Sequence, residues 1–137
     1  MQSAPTSAQL LGLMPFASLI GIEPLEAGPE LVRARIAWAP ERCTAGGVMH
    51  GGVLMALADT CGGVCAFLNL PEGAQGTTTI ESKTNFLRAV REGHVTASTR
   101  PLHRGRTLIV IDSELTREDG SLAAKVTQSQ AFMYPRS

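Results

Sequence analysis

Residues 43–71 read CTAGGVMHGGVLMALADTCGGVCAFLNLP, and the only formally charged side chain among them is Asp59. Residues 53–68 are apolar at nearly every position, the signature of a helix buried all round rather than along one stripe. A glycine-rich loop at 43–49 leads into this helix, which the pattern extends over roughly residues 51–68, and Pro71-Glu72-Gly73 follows it. Ionised carboxylates are almost never buried without a partner, so an acid in the middle of a core helix needs a reason. Nine residues before it stands His50-Gly51-Gly52, where the helix begins. A Gly-Gly helix start offers free main-chain N–H groups at the positive end of the helix dipole, a natural seat for an oxyanion. An acid and an oxyanion hole are the inventory of an acyl-transfer or hydrolysis site.

Outward from the helix the texture is β. Residues 22–27 and 31–39 read as two strands around the turn Gly28-Pro29. Residues 77–90, 94–103, 106–117 and 122–134 read as further strands, separated by Glu92-Gly93, Gly105 and Asp119-Gly120. These are short turn signals, and Asp-Gly favours a tight hairpin. At the N-terminus residues 1–6 read as a loose tail, and Ser7 is placed to cap a short helix running through Phe16 to Leu19. The pattern predicts a single α+β domain over residues 1–137, an antiparallel sheet curled around one long central helix.

Composition narrows the class. A chain of 137 residues buries a core without staples. Its net charge is zero and only 18% of its residues are charged, below the usual figure of about a quarter. So little surface charge points to a face buried in an oligomer. A neutral chain with four Phe, one Tyr and one Trp lacks the basic surface and stacking platforms of a nucleic-acid binder. Three cysteines, an odd number, argue against a secreted disulfide framework and for a reducing compartment. Cys61 and Cys65 share a helix face with only His50 nearby, too few ligands for zinc. No basic region precedes the apolar stretch 10–22, which is too short to span a bilayer and is interrupted by Pro15. A cytoplasmic protein without metal or redox cofactor is the expectation.

Gly51 and Asp59 are eight residues apart, roughly 12 Å along one helix at 1.5 Å per residue. One reacting carbonyl cannot touch both groups of a single copy. If they cooperate, the acid comes from a second subunit whose helix runs antiparallel to the first, which ties the catalytic reading to a homodimer.

The run His50-Gly51-Gly52-Val53-Leu54-Met55-Ala56-Leu57-Ala58-Asp59-Thr60 resembles the signature of hot-dog-fold acyl-CoA thioesterases of the phenylacetate-degradation and 4-hydroxybenzoyl-CoA thioesterase type. Further echoes are Pro15-Phe16 with Gly21-Ile22-Glu23, Thr79 with Asn85-Phe86-Leu87-Arg88, and Arg104-Gly105-Arg106-Thr107 followed by Glu118-Asp119-Gly120. They cover nearly the whole chain in order. The resemblance implies that the Gly51 N–H polarises the thioester carbonyl and that Asp59 of the neighbouring subunit attacks it or activates water. His50 would orient the loop, and Gly52 and Thr60 would border the substrate. It also implies a homodimer, paired again into a homotetramer. Two positions depart from the pattern. Thr44 stands where many relatives carry an asparagine, and a hydroxyl cannot match an amide's paired donor and acceptor. Some relatives use Glu for the acid and a hydroxyl one turn later, where this chain has Asp59 and Gly63, whereas Thr79 matches a position where a hydroxyl supports the site in some members.

Gly62-Gly63 in mid-helix costs about 1 kcal/mol per glycine relative to Ala, offset by tight packing against the sheet or by close approach of the partner helix or of a thin ligand such as the pantetheine arm. Arg88, Arg104 and Arg106 fall at strand ends and turns and are the residues expected on the phosphates of coenzyme A. Motifs for a serine-hydrolase elbow, a P-loop, a dinucleotide fold or a zinc protease are absent. The function expected is hydrolysis of an acyl-CoA to acid and CoA. A non-catalytic acyl-CoA binder on the same fold is the alternative, and a dehydratase or hydratase fits less well because such enzymes use a histidine base.

Overall fold

A computed structural model of the chain describes residues 3–136. Two short helices, α1 (Ser7–Gly12) and α2 (Pro15–Ile20), precede strands β1 (Glu23–Ala27) and β2 (Val32–Ala37). The long helix α3 (Gly51–Phe67) follows, then β3 (Gly76–Phe86), β4 (His94–Arg104), β5 (Leu108–Arg117) and β6 (Leu122–Met133). The strands form one antiparallel sheet in the order β1-β2-β4-β5-β6-β3, curled around α3. The fold is thus the expected α+β one.

Strand alternation sets the core. Val32, Ala34 and Ile36 of β2, Val95 and Ala97 of β4, and Ile109, Ile111 and Leu115 of β5 are buried on the face toward α3. Leu54, Leu57, Ala58, Cys61, Val64 and Cys65 of the helix meet them. Alanines in the strands keep the sheet close to the helix, and Thr99 and Ser113, both buried there, satisfy one another at 2.7 Å.

Four expectations are corrected. The N-terminal helix is two helices, because Pro15 opens a second one; its cap is Thr6, in a reciprocal pairing with Gln9, rather than Ser7. The loose tail therefore ends before Thr6, and its residues 1–2 lie outside the described residues. The strand read at 77–90 stops at Phe86, since residues 87–90 leave the ladder to cross the start of α3, where the Met49 N–H donates to the Val90 carbonyl. β3 pairs with β6 at the far edge, and β4-β5-β6 are the three hairpin-linked strands that follow the helix.

The fourth correction concerns the helix itself. The sheet wraps one side of α3 and leaves a stripe of Gly52, Met55, Asp59 and Phe67 exposed in the single chain, so the helix is not buried all round. Beside this stripe runs β3, an eleven-residue edge strand exposing Thr78, Thr79, Ile80 and Glu81. Among the described residues no helix is long and apolar enough to cross a membrane.

Candidate active site

The start of α3 is built by its own sequence. His50 is the N-cap, with extended backbone, and its Nδ1 accepts the Gly52 N–H at 2.8 Å, leaving the ring proton on Nε2. A side chain at Gly52 would bring a Cβ within 2.9 Å of that Nδ1, so the second glycine is what lets the ring fold back. The main chain of His50 is pinned as well, donating to the Arg42 carbonyl at 2.8 Å. With Gly52 engaged, the Gly51 N–H is the free donor: as the first helical residue it has no intrahelical acceptor, and no acceptor elsewhere among the described residues. It faces a cleft of about 340 Å³ lined by Thr44, Val48, Leu54, Phe86 and Arg88, with the Phe86 ring packed against Gly51. Thr44 is held there by its N–H, which donates to the Val48 carbonyl at 2.8 Å.

Two turns along the helix lies a second region. Asp59 borders a groove of about 360 Å³ with Thr60, Gly63, Met14, Phe16, Thr77 and Thr79. Asp59 is neither buried nor unpaired, as the sequence had implied: it is exposed in the single chain, and its Oδ1 accepts the Thr79 hydroxyl at 2.7 Å. The burial expected of it rested on an apolar helix, and the open stripe removes that premise. Beyond Gly63 the groove continues into an almost wholly apolar pocket of about 320 Å³ between α1 and the second half of α3, lined by Leu10, Leu13, Val64 and Phe67. The two mid-helix glycines divide the explanations offered for them. A Cβ on Gly62 would overlap the Gln128 carboxamide, whereas one on Gly63 would meet nothing within 4 Å.

The single chain thus separates the expected residues into two sets. His50, Gly51, Gly52, Thr44 and Arg88 gather at the helix start; Asp59, Thr60 and Thr79 gather on the groove. Arg104 and Arg106 join neither. Arg104 sits beyond the far end of α3, donating to Asn69 at 2.8 Å and to Glu30 at 2.6 Å. Arg106 lies on the β4–β5 turn, where its carbonyl accepts the Tyr134 hydroxyl. Even Arg88 gives one guanidinium N–H to the Leu122 carbonyl.

The reading of the residues missed Gln128 and Gln130, both buried on the inward face of β6 behind Thr79. The signal was available. Counting in twos between Val126 and Phe132 places both amides inside, where an apolar side chain is the default. The helix thiols are inert packing: burial pushes Cys61 up to about 12 and Cys65 up to about 11.

A sheet curled on one long helix, with a free N–H at the helix start and a carboxylate two turns along, has relatives of a single class. Residues 46–124 match the family model described as the thioesterase superfamily, and the chain belongs to that family. A thioesterase of Haemophilus influenzae superposes with a TM-score of 0.89 at 29% identity, covering 96% of this chain and 93% of its own. A Mycobacterium tuberculosis protein, named only as a candidate esterase, is 34% identical over 109 residues, 77% of this chain and 78% of its own. The 1,4-dihydroxy-2-naphthoyl-CoA hydrolase of Escherichia coli is 33% identical over 87 residues, 64% of this chain and 63% of its own. The chain is a thioester hydrolase of the hot-dog fold.

Proposed function

We propose that this hydrolase acts on an acyl-CoA in the cytoplasm, through sites that two copies of the chain complete together. The observation that carries the reading is the separation of one free N–H, at Gly51, from one poised carboxylate, at Asp59, along the same helix. In an antiparallel pair of α3 helices, Gly51 of one copy approaches Asp59 of the other. The open stripe of α3 and the unpaired edge of β3 support that homodimer, because both lie on the side it would cover. A dimer of dimers extends the same proposal.

The chemistry follows from the parts. The thioester carbonyl oxygen accepts the Gly51 N–H, whose position at the positive end of a 17-residue helix favours the charge that develops there. The partner's Asp59 then either takes a proton from the attacking water and passes it to the departing CoA sulfur, or attacks the carbonyl carbon itself, expelling CoA and leaving an acyl anhydride that water hydrolyses to free acid and the restored carboxylate. His50 contributes by holding the helix start, and Thr44 and Thr60 border the acyl path. Arg88 is the arginine retained for a CoA phosphate, since it lines the Gly51 cleft; Arg104 and Arg106 would reach the ligand only through the assembly. The finer assignment, to the phenylacetate-degradation and 4-hydroxybenzoyl-CoA type, rests on the His50-Gly51-Gly52 and Asp59 spacing, and the Escherichia coli relative's aryl-CoA substrate is consistent with it.

The test is free-thiol release from short, medium, long and aryl acyl-CoAs, with wild type beside Asp59→Asn. Wild type is expected to turn over at least one substrate, and the near-isosteric variant to lose about 10²–10⁴-fold in kcat while folded. Tight acyl-CoA binding without turnover by wild type would replace this reading with a non-catalytic binder, the role that Thr44 in place of the family's asparagine would suit.

A further inference from the structure

The inward face of β6 reads Ala124, Val126, Gln128, Gln130, Phe132. Both glutamines are 1% exposed. A primary amide in that setting is strongly unfavourable unless its donors and acceptor are met, and an apolar side chain would fill the same space. We propose that Gln128 and Gln130 form, with Thr79, a one-directional hydrogen-bond relay that positions the Asp59 carboxylate; the proposal rests on Asp59 being the acting acid.

The direction of every bond is forced from one end. The Ala58 carbonyl can only accept, so Gln128 turns Nε2 toward it, at 3.2 Å. Its Oε1 therefore faces Gln130, whose Nε2 donates to it at 2.6 Å. The second hydrogen of that Nε2 goes to Thr79 Oγ1, also at 2.6 Å, while Gln130 Oε1 accepts the Thr77 hydroxyl at 3.0 Å. With Thr79 Oγ1 already accepting, its own proton is sent to Asp59 Oδ1 at 2.7 Å. The relay thus starts on the main chain of Ala58 and ends on the side chain of the next residue, passing through β6 and β3 on the way. Oδ1 is held, and no hydrogen bond to Oδ2 is found among the described residues of this chain.

Two contrasts separate this from ordinary packing. Thr99 and Ser113, the other buried polar pair on the inward sheet face, bond each other and neighbour only the Cys61 thiol, with no carboxylate at either end. The helix is also stripped to make room: Gly62, one turn from Ala58, has no Cβ where one would overlap the Gln128 amide. Gln128 and Gln130 are positioning residues. Neither would touch the substrate's reacting atoms, so their loss is expected in kcat rather than KM.

Thioester hydrolysis by Gln130→Met, Thr79→Val, the double variant and Thr79→Ser tests this, with Asp59→Asn measured alongside and thermal unfolding as the folding check. Methionine keeps the volume of glutamine and removes the donor. Thr79→Val should lose about 10–100-fold in kcat, the worth of a hydrogen bond to a charged group, and Gln130→Met should lose at least about 10-fold but no more than Thr79→Val, each with KM within about threefold. Because Gln130 acts through Thr79, the double variant should be no slower than Thr79→Val alone, and Thr79→Ser should recover most of the rate. Folded Gln130→Met with wild-type kcat, or losses that simply add in the double variant, would overturn the relay while an inactive Asp59→Asn left the acid standing. If Asp59→Asn is as active as wild type, acid and relay fall together. Should Gln130→Met not fold, Thr79→Val against Thr79→Ser decides: equal rates overturn the proposal, and a serine-only rescue supports it.

Discussion

The helix start and the mid-helix groove serve one proposed reaction, yet they are built in opposite ways. At the start, every essential part lies within a few residues: the His50 cap, the Gly52 that admits its ring, and the Gly51 N–H left over. The groove draws Asp59 from α3, Thr79 from β3 and Gln128 with Gln130 from β6, joined only by the fold. Main-chain donors are positioned by local geometry, whereas a carboxylate on a rotatable side chain needs partners brought from elsewhere. The first region is rigid by construction and the second by assembly.

The largest effects should come from removing the two reacting groups, and they can be removed in matching ways. Asp59→Asn deletes the charge, with the loss given above. Gly51→Pro deletes the N–H itself. Proline suits the first helical position, and the extended backbone of His50, at φ −61° and ψ 134°, is the conformation that a residue before proline prefers. The Phe86 ring, 3.1 Å from where the new Cβ falls, must give by a few tenths of an ångström, but the helix should survive, and kcat should fall about 10²–10³-fold, as for loss of an oxyanion donor; circular dichroism and thiol release check the two halves. A Gly51→Pro chain with wild-type turnover would remove the helix start from the mechanism.

Next comes the pair of mid-helix glycines, where one methyl group separates the two kinds of construction. Gly62→Ala forces a Cβ onto the Gln128 amide and should destabilise the chain by about 1–3 kcal/mol in urea unfolding, as overpacking does. Gly63→Ala meets open space and should stabilise by about 1 kcal/mol through helix propensity. A bulkier Gly63→Leu, between the acid and the apolar pocket, should keep the fold and shift the acyl panel toward shorter chains. At the helix start His50→Ala, which removes the cap, should cost about 1 kcal/mol of stability.

Outside both regions lies a pH dependence that neither of them controls. Burial raises Cys61 from 9.0 to about 12 and Cys65 from 9.0 to about 11. Between these values the unfolded chain gives up thiol protons that the folded chain keeps. Their contribution is complete below about pH 9 and is lost as pH rises toward 11 and 12. Urea midpoints should decline from pH 8 to pH 10, less steeply in Cys61→Ala.

The same contrast explains what the residues alone disclosed. The helix limits, the strand texture and the His50-Gly51-Gly52 start were legible because short-range physics writes them: capping, apolar periodicity and turn chemistry. The acid was legible as the lone charge at 43–71, though its surroundings were not, since an apolar helix does not announce which stripe the sheet leaves open. Gln128 and Gln130 were hidden for a related reason. Their role depends on the β3–β6 register that sets Thr79 opposite Gln130, and on the crossover that carries β3 beyond β6. Nothing near Glu92-Gly93 distinguishes a crossover from a hairpin.

The central claim, that one reaction centre is shared between two chains, is tested most directly by complementation. Gly51→Pro and Asp59→Asn chains, each inactive alone, are unfolded together, refolded at equal concentration and assayed for thiol release. In a mixed dimer, Gly51 of the Asp59→Asn chain meets Asp59 of the Gly51→Pro chain, so one of the two sites is intact. Random pairing then restores about a quarter of wild-type activity. No recovery, in a mixture shown to contain mixed dimers, would contradict the shared site.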